Sequence, residues 1–344
     1  LAEMAVALKA AGLREVAGRF WVHGGALPRI SRIDPGEPDY LAYNAAVSGL
    51  NLNYNRVYFE WKREGADYSW TMDARSDNFR PAVKLAQMSI VDRASPVFDY
   101  SLVAGGENWT VARAALGERG ARWLPVRQPE LYAGEVLQIM ARAQGIRLTS
   151  PTLVTARPRG RVLVERKSAP LADILLGMLK NSNNLTAEIT GLSASLARGA
   201  VLNGLAASGD EMARWMGTRL GARRARFVDH SGLGQDNSLS ARDMVSALLR
   251  IGPDSTLASM LARVSLRKKL GEIDAGRPAQ VWAKTGTLDF VSALAGFVVP
   301  QNGRRLAFAV FSADLERRSA TSEAERACSR GAKSWEARAR ELQR

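Results

Sequence analysis

QVWAKTGTLDFVSALAGFVVPQNGRRLAFAVFS, residues 280–312, is the stretch from which the architecture of the C-terminal half is read. Gln280–Thr285, Ala293–Val299 and Arg305–Ser312 are apolar and β-branched enough to be expected as three strands. Asn302-Gly303, between the last two, is a strong hairpin signal, because both residues tolerate the positive φ that a two-residue turn demands. Beyond them Cys328, Ala332, Trp335, Ala339 and Leu342 recur at steps of four and three. That is one face of a closing helix, most simply packed on the sheet just described.

Upstream of this unit the pattern is helical. Leu171–Lys180, Thr186–Leu205, Gly209–Leu220 and Ser240–Ile251 are expected helices, with Ser240 as N-cap and Asp243 in the capping-box position. Leu131–Gly145 is a clear amphipathic helix ended by Gly145. Pro151, Pro158, Gly160 and Pro170 interrupt the next stretch, so a domain boundary is placed near residue 150. The half before it begins with a helix at Leu1–Gly12, followed by strand-like alternation at 14–22, a Gly- and Pro-rich loop at 24–45, and alternation again at 50–61. Short strand-like pieces continue to about residue 105 and a short helix is expected at Arg113–Arg119. The expected class is α+β, with 1–150 a mixed, sheet-rich region and 151–344 helices packed on an antiparallel sheet.

Composition narrows the chemistry. The 344 residues carry 48 Lys and Arg against 34 Asp and Glu, a formal charge of +14. Such a surface attracts polyanions, but no zinc-finger or RNA-binding signature is present, so nucleic acid is not the expected partner. One cysteine, Cys328, precludes an intramolecular disulfide, and only two histidines, His23 and His230, leave no His-rich metal site. No run of about eighteen apolar residues is available to span a membrane.

Two short motifs carry chemistry. Lys284-Thr285-Gly286 ends an expected strand, with Thr287 supplying a second hydroxyl and Gly286 letting a ligand lie close to the backbone. A solvated lysine at a strand end followed by a turn glycine would leave the same letters. Ser182-Asn183-Asn184 is an S-x-N triplet at a helix terminus, where Ser and Asn also serve as ordinary caps. Their order and spacing matter more than either alone, since Lys284 follows Asn184 by 100 residues. S-x-[ND] followed by K-[TS]-G is the order found in penicillin-recognising serine enzymes, which also need an S-x-x-K ahead of both.

Three segments then resemble one family. MLKNSNNLTAE (178–188), FVDHSGLGQDNSLSARDMVSALL (227–249) and WAKTGTLDFVSALAGFV (282–298) are similar to the class C low-molecular-mass penicillin-binding proteins, the D-alanyl-D-alanine carboxypeptidase/endopeptidase group. NAAVSGLNLNYNRV (44–57) resembles part of the domain that this group inserts between its first and second motifs. The resemblance implies a transpeptidase/β-lactamase-like domain with an inserted accessory domain. It implies a periplasmic or cell-envelope location, at most peripheral to the membrane, and no metal or organic cofactor. The implied partners are peptidoglycan stem peptides and β-lactams. It assigns Ser182 as a proton relay, Asn184 as a hydrogen-bond partner of the substrate amide, and Lys284 and Thr285 as holders of the terminal carboxylate. Gly286 admits the substrate backbone, and the Thr287 N–H is an oxyanion donor.

One departure is expected to matter. The chain is expected to begin inside the inserted domain, with the nucleophilic serine and its lysine lying upstream. The letters S-x-x-K occur at Ser265–Lys268, but between the other two motifs, the wrong order, and they read as a basic surface turn. Ser76-Asp77-Asn78 is another chance match. Asp229, Ser231 and Gly232 read first as a tight turn, and His230 receives no role. The alternatives are a non-catalytic wall-binding relative, a β-lactamase, and a basic interaction protein with accidental motifs.

Overall fold

The computed structural model describes residues 1–265, 279–322, 326 and 329–343. Cys328, and Leu266, Arg267 and Lys268 of the misplaced S-x-x-K, lie outside the described residues. The chain divides into two compact units, Leu1–Ser168 with Glu188–Ser193, and Ala169–Ala187 with Ala194–Arg344.

The first unit opens with α1 (Ala2–Ala10) and β1 (Phe20–Val22). β1 is shorter than the alternation at 14–22 suggests, because a strand exists only as far as its partner does; Glu15 makes an isolated bridge to Arg147 instead. β2 (Arg56–Glu64) also starts late. Asn53, Tyr54 and Asn55 take φ of 51°, 57° and 52°, and the Asn55 carboxamide accepts the Leu52 N–H at 3.1 Å. The asparagines that mimic the polar positions of a strand are turn formers, at home in left-handed backbone.

β3 (Asp67–Asp73), β4 (Ala86–Val91), β5 (Phe98–Val103), β6 (Gly106–Ala112) and β7 (Arg119–Pro125) follow. They form two three-stranded sheets, ordered β3-β2-β7 and β4-β6-β5. The helix expected at 113–119 is a single 3-10 turn at Arg113–Ala115, since strand pairing claims the chain from Arg119. α2 (Pro129–Ala143) starts with a proline, whose missing N–H costs nothing in a first helical turn. β8 (Pro151–Leu153) pairs in parallel with β1.

Val57, Phe59, Trp109, Leu124 and Tyr132 form the centre of this unit's core, all fully buried. Each large side chain so removed from water contributes about 1.5–3 kcal/mol. A polar pair sits among them. Glu107 accepts the backbone N–H groups of Arg127 and Gln128 at 2.8 and 2.7 Å. The Arg127 guanidinium donates to the carbonyls of Ser31, Asp39 and Asn44.

The second unit contains α3 (Leu171–Asn181), the ends of α4 (Asn184–Ala197) and α5 (Leu205–Trp215), which passes into a π-helical turn at 216–220. α4 stops at Ala197 and does not run to Leu205, because Gly199 turns the chain out at φ +85°. α6 (Ala241–Ile251) is capped by the Ser240 hydroxyl, which accepts the Asp243 N–H at 3.0 Å. α7 (Thr256–Ser259) and β9 (Ala262–Val264) lead to β10 (Gln280–Leu288), β11 (Val291–Val299) and β12 (Leu306–Ala313), then α8 (Leu315–Ala320) and α9 (Ala332–Gln343).

The sheet is antiparallel throughout, in the order β12-β11-β10-β9. β11 and β12 form the expected hairpin, but not through a two-residue turn: pairing ends at Val298 and Leu306, the Gly303 N–H bonds the Pro300 carbonyl at 3.0 Å, and Gly303 takes φ +73° while Asn302 does not take positive φ. β10 and β11 both run further toward each other than their hydrophobicity shows. They close through Asp289 and Phe290, the latter at φ +60° with its ring buried and edge-on to Trp335. Strand alternation gives the sheet two faces. α6 packs Leu248 and Met244 on Phe297, Ala295 and Ala307. The other face carries Val281, Ala283 and Leu294, and α9 packs there against β11.

Candidate active site

Ser182 is the residue that ends α3, in left-handed backbone at φ 50°, ψ 49°. A serine there costs about 1–2 kcal/mol relative to ordinary helical backbone, and such strain gathers where a side chain must be aimed. Asn183 then caps α4, its Oδ1 accepting from Thr186 N at 2.8 Å and Thr186 Oγ1 at 2.7 Å. Asn184 is the first residue of that helix. The S-x-N triplet is therefore a helix–helix junction in which the middle residue does the capping and the first, Ser182, carries its hydroxyl to Lys284.

Lys284 lies on β10 across from Ala295, on the face that carries α6. Its Nζ donates to Ser182 Oγ at 2.5 Å and to the Thr285 carbonyl at 2.6 Å. Residues 102 positions apart are thus in direct contact. Lys284 is half-buried and makes no ion pair among the described residues, so desolvation lowers its pKa below the usual lysine value.

β9 pairs with β10 only at Val281–Ala283. From Lys284 onward the outer edge of β10 has no partner strand among the described residues, and an edge of free N–H and C=O groups is a template for an extended peptide. Gly286 lies on this edge. A Cβ added there would meet only the Ala293 Cβ, at 3.5 Å, an ordinary contact. Contrast Gly296, where a Cβ would collide with the Trp282 carbonyl at 2.1 Å. The protein itself therefore does not require glycine at 286. Gly286→Ala is expected to leave the unfolding temperature unchanged while weakening the binding of an extended peptide to this edge about tenfold, the effect of one intruding methyl group. Melting curves and binding titrations check this; undiminished binding would remove Gly286 from the site.

Thr285 and Thr287 pair with Leu294 and Ser292 and so belong to the sheet face opposite Lys284. With Ser292, Arg340 and Gln343 they line a cavity of about 250 Å³. Nothing in the spacing of the sequence announces Arg340 or Gln343; only the folding of α9 onto β11 brings them there.

The segment after the S-x-N helix is structural. Asp229 is buried and its carboxylate accepts from Gly232 N, Gly234 N and Asn237 Nδ2 at 2.7, 2.5 and 2.9 Å, closing a tight turn. His230 Nε2 is 2.7 Å from Ser208 Oγ, which in turn lies 2.7 Å from Ser195 Oγ. Burial depresses the imidazole pKa, and this network holds α4, α5 and the turn together.

A Lys-Thr-Gly strand edge with an S-x-N junction against its lysine is the pattern of the penicillin-recognising serine enzymes, and the α+β fold around it is transpeptidase-like with an accessory domain. The structure is similar to crystalline penicillin binding protein 4 (dacB) from Haemophilus influenzae, with TM-score 0.68 at 20% identity over 92% of this chain and 74% of that one. The chain belongs to the D-Ala-D-Ala carboxypeptidase 3 (S13) family, whose model matches residues 1–336. It is 32% identical over 199 residues to carboxypeptidase DacB of Mycolicibacterium smegmatis, covering 54% of this chain and 42% of the relative. It is 28% identical over 297 residues to D-alanyl-D-alanine carboxypeptidase DacB of Haemophilus influenzae, covering 79% and 59%. The chain spans about half the length of the curated relatives it matches.

Proposed function

We propose that this chain supplies the second and third motifs of a serine-type D-alanyl-D-alanine carboxypeptidase/endopeptidase that acts on peptidoglycan stem peptides in the cell envelope and is acylated by β-lactams. The observation that carries this reading is the Lys284–Ser182 contact beside a sheet edge with no partner strand among the described residues. A peptide lying along that edge presents its scissile carbonyl to a serine nucleophile. Attack forms an ester and breaks the bond to the departing D-alanine, whose nitrogen needs a proton. Ser182, hydrogen-bonded to the Lys284 ammonium, is placed to pass it. The Thr287 N–H serves as an oxyanion donor, Asn184 bonds the substrate amide, and water later hydrolyses the ester. The nucleophile and its lysine base are assigned to an S-x-x-K outside these 344 residues, since Ser265–Lys268 stands in the wrong order.

Fluorescent penicillin, read on a denaturing gel, tests both parts. Full-length protein is expected to label and the 344-residue chain is not. Labelling of the short chain would place the nucleophile inside it, with Ser265 and Ser182 as the first residues to replace. Failure of both would favour a non-catalytic wall-binding relative.

A further inference from the structure

The first unit carries an open groove of about 600 Å³ where the chain leaves β3, turns back along it and crosses to β4. Trp70 and Thr71 of β3, Arg75, Arg80 and Lys84 of the connecting segment, and Gln87 of β4 line it. Two carboxylates also stand there, and both are engaged. Arg75 donates to Glu60 at 2.8 Å and to Asp73 at 3.1 and 2.9 Å, and its guanidinium lies over the Tyr58 ring at 4.0 Å. Arg75 is thereby a fixed wall of the groove. Arg80 and Lys84 are exposed and have no ion pair among the described residues. Trp70 is 40% exposed. A lone exposed aromatic is ordinary; one set in a groove beside cations without carboxylate partners is the arrangement of a binding surface. The same sheet face continues the pattern. Tyr58 meets Trp123 edge-on at 4.8 Å, and the half-buried Arg56 guanidinium lies over Trp123 at 4.4 Å and over Tyr54 at 5.1 Å. Arg56 has no ion pair among the described residues, and its Nε is buried without a hydrogen-bond partner among them.

We propose that this groove and the face beside it bind an acidic polysaccharide. A sugar ring has a flat face of C–H groups and a rim of hydroxyls. The Trp70 indole offers an apolar plane for the face, and the Thr71 hydroxyl and Gln87 carboxamide offer hydrogen bonds to the rim. Arg80 and Lys84 select a sugar that bears a carboxylate, and Arg56 receives a further one along the chain. A single-stranded nucleic acid matches this surface less well, because it needs a row of open rings, and those of Tyr58 and Trp123 already carry guanidinium groups. All these residues belong to the first unit, so the proposal stands apart from the catalytic reading above.

The test titrates full-length protein with three probes: an oligogalacturonate, its methyl ester, which keeps the rings and loses the charge, and poly-glutamate, which keeps the charge and has no rings. The oligogalacturonate is expected to bind at least about tenfold more tightly than either of the others. Trp70→Ala is expected to weaken it about 30-fold, as loss of an aromatic anchor does, and to leave poly-glutamate unchanged, while Trp70→Phe retains part of the affinity. Arg80→Ala combined with Lys84→Ala is expected to weaken it about tenfold at low salt and by less as salt screens the charges, with no effect on the ester. Melting curves show that each variant is folded, and should Trp70→Ala fail to fold, Trp70→Phe and the double variant read the same affinities. Binding of none of the three probes, ester or poly-glutamate bound as tightly as the oligogalacturonate, or affinities unmoved in the variants overturns the proposal. So does tighter binding of a single-stranded DNA oligonucleotide. None of these results depends on penicillin labelling, so failure of the catalytic reading and failure of this one are told apart.

Discussion

Lys284→Ala in the full-length protein is expected to slow acylation by fluorescent penicillin about 1,000-fold, within the range of 10²–10⁴ that a positioned proton-transfer group contributes. Its Nζ is the only cation hydrogen-bonded to Ser182 Oγ among the described residues, at 2.5 Å. Removing it strips Ser182 of the charge that sets its orientation and its acidity. Stability should hardly change, because the side chain is half-buried and anchors no ion pair. The pH profile adds a signature. Burial depresses the lysine pKa, so the charged form is lost as pH rises, earlier than for an ordinary lysine. The alkaline limb of acylation should therefore fall below the usual lysine range, and Lys284→Arg should push it upward, since guanidinium stays protonated. A variant that acylates within tenfold of wild type would end the role given to Lys284.

Glu107→Gln is expected to stabilise the first unit by about 3 kcal/mol at pH 8 and to change little at pH 4. Glu107 is fully buried, and burial raises its carboxyl pKa to about 7 despite two backbone N–H donors and the nearby Arg127. The unfolded value is about 4.3. A carboxyl whose folded pKa lies above its unfolded one favours the folded state fully below pH 4, where both are protonated. That contribution drains away as pH climbs from about 4.3 to 7, and above 7 the whole difference is lost. Glutamine keeps an oxygen for the N–H groups of Arg127 and Gln128 and has nothing to ionise. Arg127 retains its three carbonyl acceptors and lies 3.6 Å from Asp39. Urea unfolding at pH 4, 6 and 8 reads the effect. Parallel curves for wild type and variant across that range would show that Glu107 ionises freely in the folded protein.

Much of this protein was legible because its signals are local. The apolar runs of β10 to β12, the turn glycine Gly303 between the last two and the Ser240 cap each depend on residues within a few positions of one another, so the letters carry them. The same locality misled at Asn51–Asn55, where polar residues at alternate positions mark a turn and not a strand, and at 186–205, where Gly199 cuts one helix into two. Phe290 at positive φ was hidden for another reason: its turn is held by a buried ring, a tertiary contact no turn preference encodes.

The candidate site divides in the same way. The residue types and their order, Ser182 and Asn184 before Lys284, Thr285 and Gly286, were in the sequence alone, since they are the chemistry that acyl transfer needs. That Lys284 touches Ser182, that Ser182 is held left-handed, and that Thr285 and Thr287 turn away toward Arg340 and Gln343 were decided by the tertiary structure. Sequence sets which hydrogen-bonding groups the chain owns and the local geometry each prefers. Which of them meet across a hundred residues is settled only when the strands pair, α6 packs on one face of the sheet and α9 packs against β11.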